Sequence, residues 1–87
     1  MTLRMIGQND YSIRENGQPI GRIRFASERT PGIWLWNVTV NIPGPPLGSA
    51  SSLDDAKAQF RAACLAFRER HGPDRLAKAY REMNKWL

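Results

Sequence analysis

The feature that most narrows the fold is a change of hydrophobic period at Pro43. From Ile33 to Ile42, Trp34, Trp36, Val38, Val40 and Ile42 share one face, and Leu35, Asn37, Thr39 and Asn41 share the other. A period of two marks a strand with one buried face, and aromatic and β-branched residues suit it. Beyond Pro43 the period changes. Leu53, Ala56, Phe60, Ala63, Cys64 and Phe67 recur at helical spacing, which gives a helix one packed side. Between them, residues 43–51 (Pro-Gly-Pro-Pro-Leu-Gly-Ser-Ala-Ser) read as a rigid loop that is neither strand nor helix.

Two more strands precede the Trp-rich one. Tyr11-Ser12-Ile13-Arg14 alternates, and Asn16-Gly17 follows, the pair that a two-residue type I′ hairpin turn favours because both positions need φ > 0. The return strand is Ile20-Gly21-Arg22-Ile23-Arg24-Phe25. A simple two-residue turn pairs Ile13 with Ile20 and leaves Ile23 and Phe25 on the wrong face. Either a bulge at Gly21 shifts the phase, or a longer turn leaves Pro19 outside the ladder. A turn at Glu28-Arg29-Thr30-Pro31-Gly32 leads into the third strand. After the loop, Ser52 is the expected N-cap with Asp55 in the first turn, Gly72 closes the helix, and Pro73 opens a second. In that second helix Leu76, Ala79, Tyr80, Met83 and Leu87 lie opposite Lys78, Arg81 and Lys85. The expected fold is therefore α+β: a three-stranded antiparallel meander, a long helix packed on one face and a shorter C-terminal helix, in the order β-β-β-α-α. One domain covers 1–87, with strands within 10–42, a loop at 43–51 and helices at 52–71 and 73–86.

Composition then limits the function. The 87 residues carry 13 Lys and Arg against 8 Asp and Glu, a net charge of +5. Residues 1–50 hold five Arg against three acids and residues 51–87 eight bases against five, so the excess forms no basic tail. No apolar run reaches the length of about 18 residues that a membrane helix needs. The start shows no signal peptide, so the expected location is the cytoplasm, with no membrane partner. One Cys excludes an internal disulfide, and one Cys with one His makes no zinc site. No glycine-rich phosphate loop or nucleophile elbow is present. His71 reads as a cation at a helix end, Cys64 as a small core residue, and Asp54 and Asp55 as partners of the helix dipole. The Asn37-Val38-Thr39 sequon has no secretory context. The expectation is a non-enzymatic module without a cofactor.

Two surfaces are candidates for binding. If the helix covers the Trp34/Trp36 face, the other face of the sheet presents Arg14, Arg22 and Arg24 with Asn37 and Thr39. Arg suits phosphate or guanine and Asn suits adenine. An antiparallel sheet also has an ordinary solvated face on which Arg is a usual occupant. The second surface is a basic stripe of Lys57, Arg61 and Arg68 on the first helix, where bases commonly just solvate the helix. The expected partner is DNA or RNA. The alternative is a homodimer or a partner protein, met at a sheet edge or at Trp86 and Leu87 near the chain end.

Three resemblances bear on this. The three strands followed by Ser52-x-x-Asp55-Ala56-x-Ala58-x-Phe60 resemble the arm-binding domains of phage-type integrases and the plant ethylene-response type DNA-binding domain. Those read DNA with a three-stranded sheet, which implies DNA-facing roles for Arg14, Arg22 and Arg24. Ser52, Ala56-Lys57 and Ala62-Ala63 resemble double-stranded-RNA-binding domains. Here, however, Leu53, Asp54 and Asp55 stand where that family is basic, and the acids repel phosphate. Tyr11, Ile13, Asn16-Gly17, Gly21-Arg22-Ile23 and Trp34-Leu35-Trp36 are similar to a pattern in small uncharacterised bacterial proteins, which implies a β-β-β-α fold and no activity.

Overall fold

The computed structural model describes residues 1–27, 30–40 and 42–85. Its order is β1 (Thr2–Gly7), β2 (Asp10–Glu15), β3 (Gln18–Ala26), β4 (Ile33–Val38), β5 (Leu47–Ala50), α1 (Leu53–His71) and α2 (Pro73–Asn84). All five strands join one antiparallel sheet in sequential order. The class is α+β, but the three-stranded meander is wrong by a strand at each edge.

Each missed strand has a physical reason. β1 pairs Leu3 with Ile13 and Met5 with Tyr11, then turns back at Asn9, whose φ is 55°. β5 lies inside the stretch read as a rigid loop. Its Leu-Gly-Ser-Ala run has little strand propensity of its own. It pairs because Gly48 lies against Trp36, where an added Cβ would fall 2.6 Å from the indole. The Pro43–Pro46 segment is thus a connection that returns the chain to the sheet. The Trp-rich strand also ends early, at Val38, although Val40 and Ile42 still bury their side chains.

The hairpin register is resolved by both a tight turn and a bulge. Glu15 pairs with Gln18 around Asn16 (φ 51°) and Gly17 (φ 80°), then Arg14 pairs with Pro19 and Ile13 with Gly21. Ile20 is the extra residue. The shift returns Ile23 to the helix side, where it is fully buried.

Ser52 caps α1 by accepting from the Asp55 N–H at 3.1 Å, and Gly72 closes it by donating to the Arg68 carbonyl at 2.7 Å. Ala56, Phe60, Cys64 and Phe67 form its buried face. Phe60 meets Trp36 edge-on at 6.1 Å between centroids. It sits so close to β3 that a Cβ on Gly21 would collide with its ring. The Trp36 indole N–H donates to Gln59 Oε1 at 2.8 Å, so the large ring is buried without stranding its donor. α2 closes the hairpin end of the core with Leu76 and Ala79, and Gln18 and Asn84 exchange amide hydrogen bonds across the gap. Among the described residues no helix is long and apolar enough to cross a membrane. The turn residues Glu28 and Arg29, Asn41 of the Trp-rich strand, and Trp86 and Leu87 near the chain end lie outside the described residues.

Candidate nucleic-acid interface on the open sheet face

Both helices lie on the same side of the sheet as Ile13, Ile23, Trp36 and Val38, so the other side is uncovered. Strand pairing fixes what this open face displays, because directly paired residues point the same way. One row runs Arg4, Ser12, Arg22, Asn37, Leu47 across all five strands. The next runs Asp10, Arg24, Leu35, Ser49, and Arg14 stands beside Thr2 and Pro19. Arg22, Arg24 and Asn37 are thereby brought together, with Asn37 directly across from Arg22.

The other nominated residues fall differently. Thr39 lies beyond the end of β4, where its hydroxyl accepts a 3.4 Å hydrogen bond from Asn37 Nδ2. Arg14 is folded over the hairpin turn: Nη1 donates to the Gly17 carbonyl at 3.4 Å, and Nε is buried without a partner. On α1, Lys57 and Arg61 are exposed, whereas Arg68 is ion-paired with Glu15 at the hairpin. The basic stripe is therefore two residues long, and its third member ties α1 to the sheet.

Two charged groups of the face escaped the sequence reading. Arg4 arrives with β1, and its signal was the short Leu3-Arg4-Met5 alternation before Gly7-Gln8-Asn9. Asp10 is the counter-charge. Arg22 donates to both of its carboxylate oxygens, through Nε at 2.8 Å and through Nη2. Those hydrogen bonds, with the positive charge of Arg22 and Arg24, hold the Asp10 carboxyl below the usual carboxylate range against a desolvation effect that raises it. Arg22 is raised in turn, chiefly by the same hydrogen bonding.

The face is divided. Among the described residues, strands β1 to β3 supply Arg4, Arg14, Arg22 and Arg24 against one carboxylate, while β4 and β5 supply Leu35, Asn37, Leu47 and Ser49. Leu47 is 77% exposed. No family model, curated protein or solved structure matches the chain.

Width also bears on the integrase-like expectation. Five strands span four intervals of about 4.8 Å, or about 19 Å, against a major groove about 12 Å wide. A sheet this broad does not enter the groove face-on as a three-stranded one does.

The remaining sequence candidates have structural roles. Burial pushes the Cys64 thiol up to about 11, which keeps it protonated and unreactive. His71 packs on the Phe67 ring at 4.4 Å, and desolvation, then Arg75 and Arg70, hold it below its usual value.

Proposed function

We propose that the protein is a non-enzymatic nucleic-acid-binding module that holds a phosphate backbone against its open sheet face. The observation that supports this reading is the placement of Arg4 on β1 and of Arg22 and Arg24 on β3 on a sheet face that neither helix covers, with Asp10 the one carboxylate there among the described residues. Arg is suited to phosphate through its planar, multiply donating guanidinium. The sheet is too broad for face-on groove reading, and its described open-face residues include no aromatic ring on which a base stacks. The predicted mode is backbone contact with little sequence preference, at least as strong on a single strand as on a duplex.

Fluorescence anisotropy with a labelled mixed-sequence oligonucleotide tests this. If Arg4, Arg22 and Arg24 each meet one phosphate, log K falls against log salt with a slope of about −2 on a single strand. Replacing Arg4 and Arg24 by Ala should shrink the slope by about 1.4. Absence of binding at low salt, or a slope that the double variant leaves unchanged, rejects the proposal.

A further inference from the structure

The helix side of the sheet is incompletely covered. α1 packs on β3, β4 and β5. On β1 and β2 the residues of that same side are Leu3, Met5, Tyr11 and Ile13; Ile13 is buried in the core, but Met5 is 64% exposed, and Leu3 and Tyr11 are half-buried. Phe25 and Trp34, also half-buried, continue the patch, with Trp34 5.1 Å from Phe25 and 6.4 Å from Tyr11 between ring centroids. A sheet about 19 Å wide offers room for two helices about 10 Å across, and only α1 lies along it. The uncovered strip runs from Leu3 and Met5 on β1 through Tyr11 to Phe25 and Trp34. Lys57 and Arg61, one turn apart on α1, border it beside Met1 and Leu3. Both are exposed, and neither forms an ion pair among the described residues.

We propose that this strip docks an acidic amphipathic helix from a partner protein. Its floor of Met, Tyr, Phe and Trp is the composition that protein interfaces favour. A helix laid parallel to α1 sets apolar residues at i, i+3, i+4 and i+7 onto that floor. Its flank then faces Lys57 and Arg61, which select Glu or Asp over Lys. The rings do not form a platform for stacked bases: Trp34 is inclined 37° to Tyr11 and 58° to Phe25, so no common plane exists. Tilted rings suit interleaved aliphatic side chains instead. This site lies on the opposite side of the sheet from the Arg face and is independent of it.

The test uses the full chain, isotopically labelled for NMR, and two designed helical peptides of about 18 residues. Both carry the same Leu face; one has Glu along the flank and the other Lys. The Glu peptide should give saturable shifts at Leu3, Met5, Tyr11, Lys57 and Arg61, and bind about tenfold more tightly than the Lys peptide. Exposed Met5→Glu should abolish binding. The double reversal Lys57→Glu with Arg61→Glu should invert the preference between peptides, a result that simple misfolding does not produce. Equal affinity for both peptides, shifts confined to the Arg face, or no shifts at all overturns the proposal. So does a dimer by light scattering that Met5→Glu dissolves, since the strip would then belong to a second copy.

Discussion

Strand β3 presents one backbone to two different surroundings. Ile23 is 0% exposed beneath α1, while Arg22 and Arg24 on either side of it lie on the open face, Arg22 held by Asp10. On the helix side shape decides which residue is allowed: Gly21 is there because the Phe60 ring occupies the space a Cβ would need. The open side is looser: Ala26 is fully buried there too, but Arg4, Arg22, Asn37 and Leu47 are exposed, so their side chains are available to a ligand. The difference teaches where to look for function: on the face whose side chains the fold does not require.

The largest test of that contrast is Phe60→Ala. The ring is fully buried between Trp36 and Gly21, and its removal should cost about 4 kcal/mol, read as a loss of the urea midpoint. Arg4→Ala, exposed on the other face, should change stability by less than about 0.5 kcal/mol. Comparable costs on the two faces would break the comparison. Cys64 supplies a second readout. Its protonated, buried thiol should react with a disulfide reagent at pH 8 only through opening of the core, much faster in the Phe60 variant.

Next in size is Gly21→Ala, expected to cost about 2 kcal/mol through overpacking. The new methyl meets the Phe60 ring and lies 2.6 Å from the Asn37 carbonyl oxygen. Combined with Phe60→Ala, the ring clash disappears, so the double variant should be less destabilised than the two single losses added together. Simple additivity would show that the close approach of α1 to β3 is not what requires glycine.

These particular residues also show what was legible in the chain. The alternation at Trp34, Trp36 and Val38 and the helical spacing of Ala56, Phe60, Cys64 and Phe67 are long enough to declare their period and their buried face. The Asn16-Gly17 turn and the need for a phase shift near Gly21 were readable because the wrong register would bury Arg22. The edge strands were not. β1 is short, exposed and broken by an irregularity between Met5 and Gly7, and β5 acquires its structure only from β4 and the Trp36 ring. For the candidate site, alternation placed Arg22, Arg24 and Asn37 on one face. Arg4 depended on the missed strand, and the Asp10–Arg22 pair on a register that local pattern does not specify.

The smallest expected effect separates stability from binding most cleanly. Asp10 is depressed below its unfolded value by Arg22, so its contribution to stability is present above the unfolded pKa of about 3.9 and is lost as pH falls through the folded one. The pair is partly exposed, with Arg22 and Asp10 side chains 50% and 21% accessible, so Asp10→Asn should cost less than about 1 kcal/mol at pH 7. Below the folded pKa the parent and the variant should converge in thermal melts. On the open face the same change removes the one described carboxylate there and releases Arg22 from its bidentate hold. Oligonucleotide affinity should therefore rise by about threefold at low salt while stability falls slightly. A fall in affinity alongside stability would mean that Asp10 presents Arg22 to the ligand instead of competing for it.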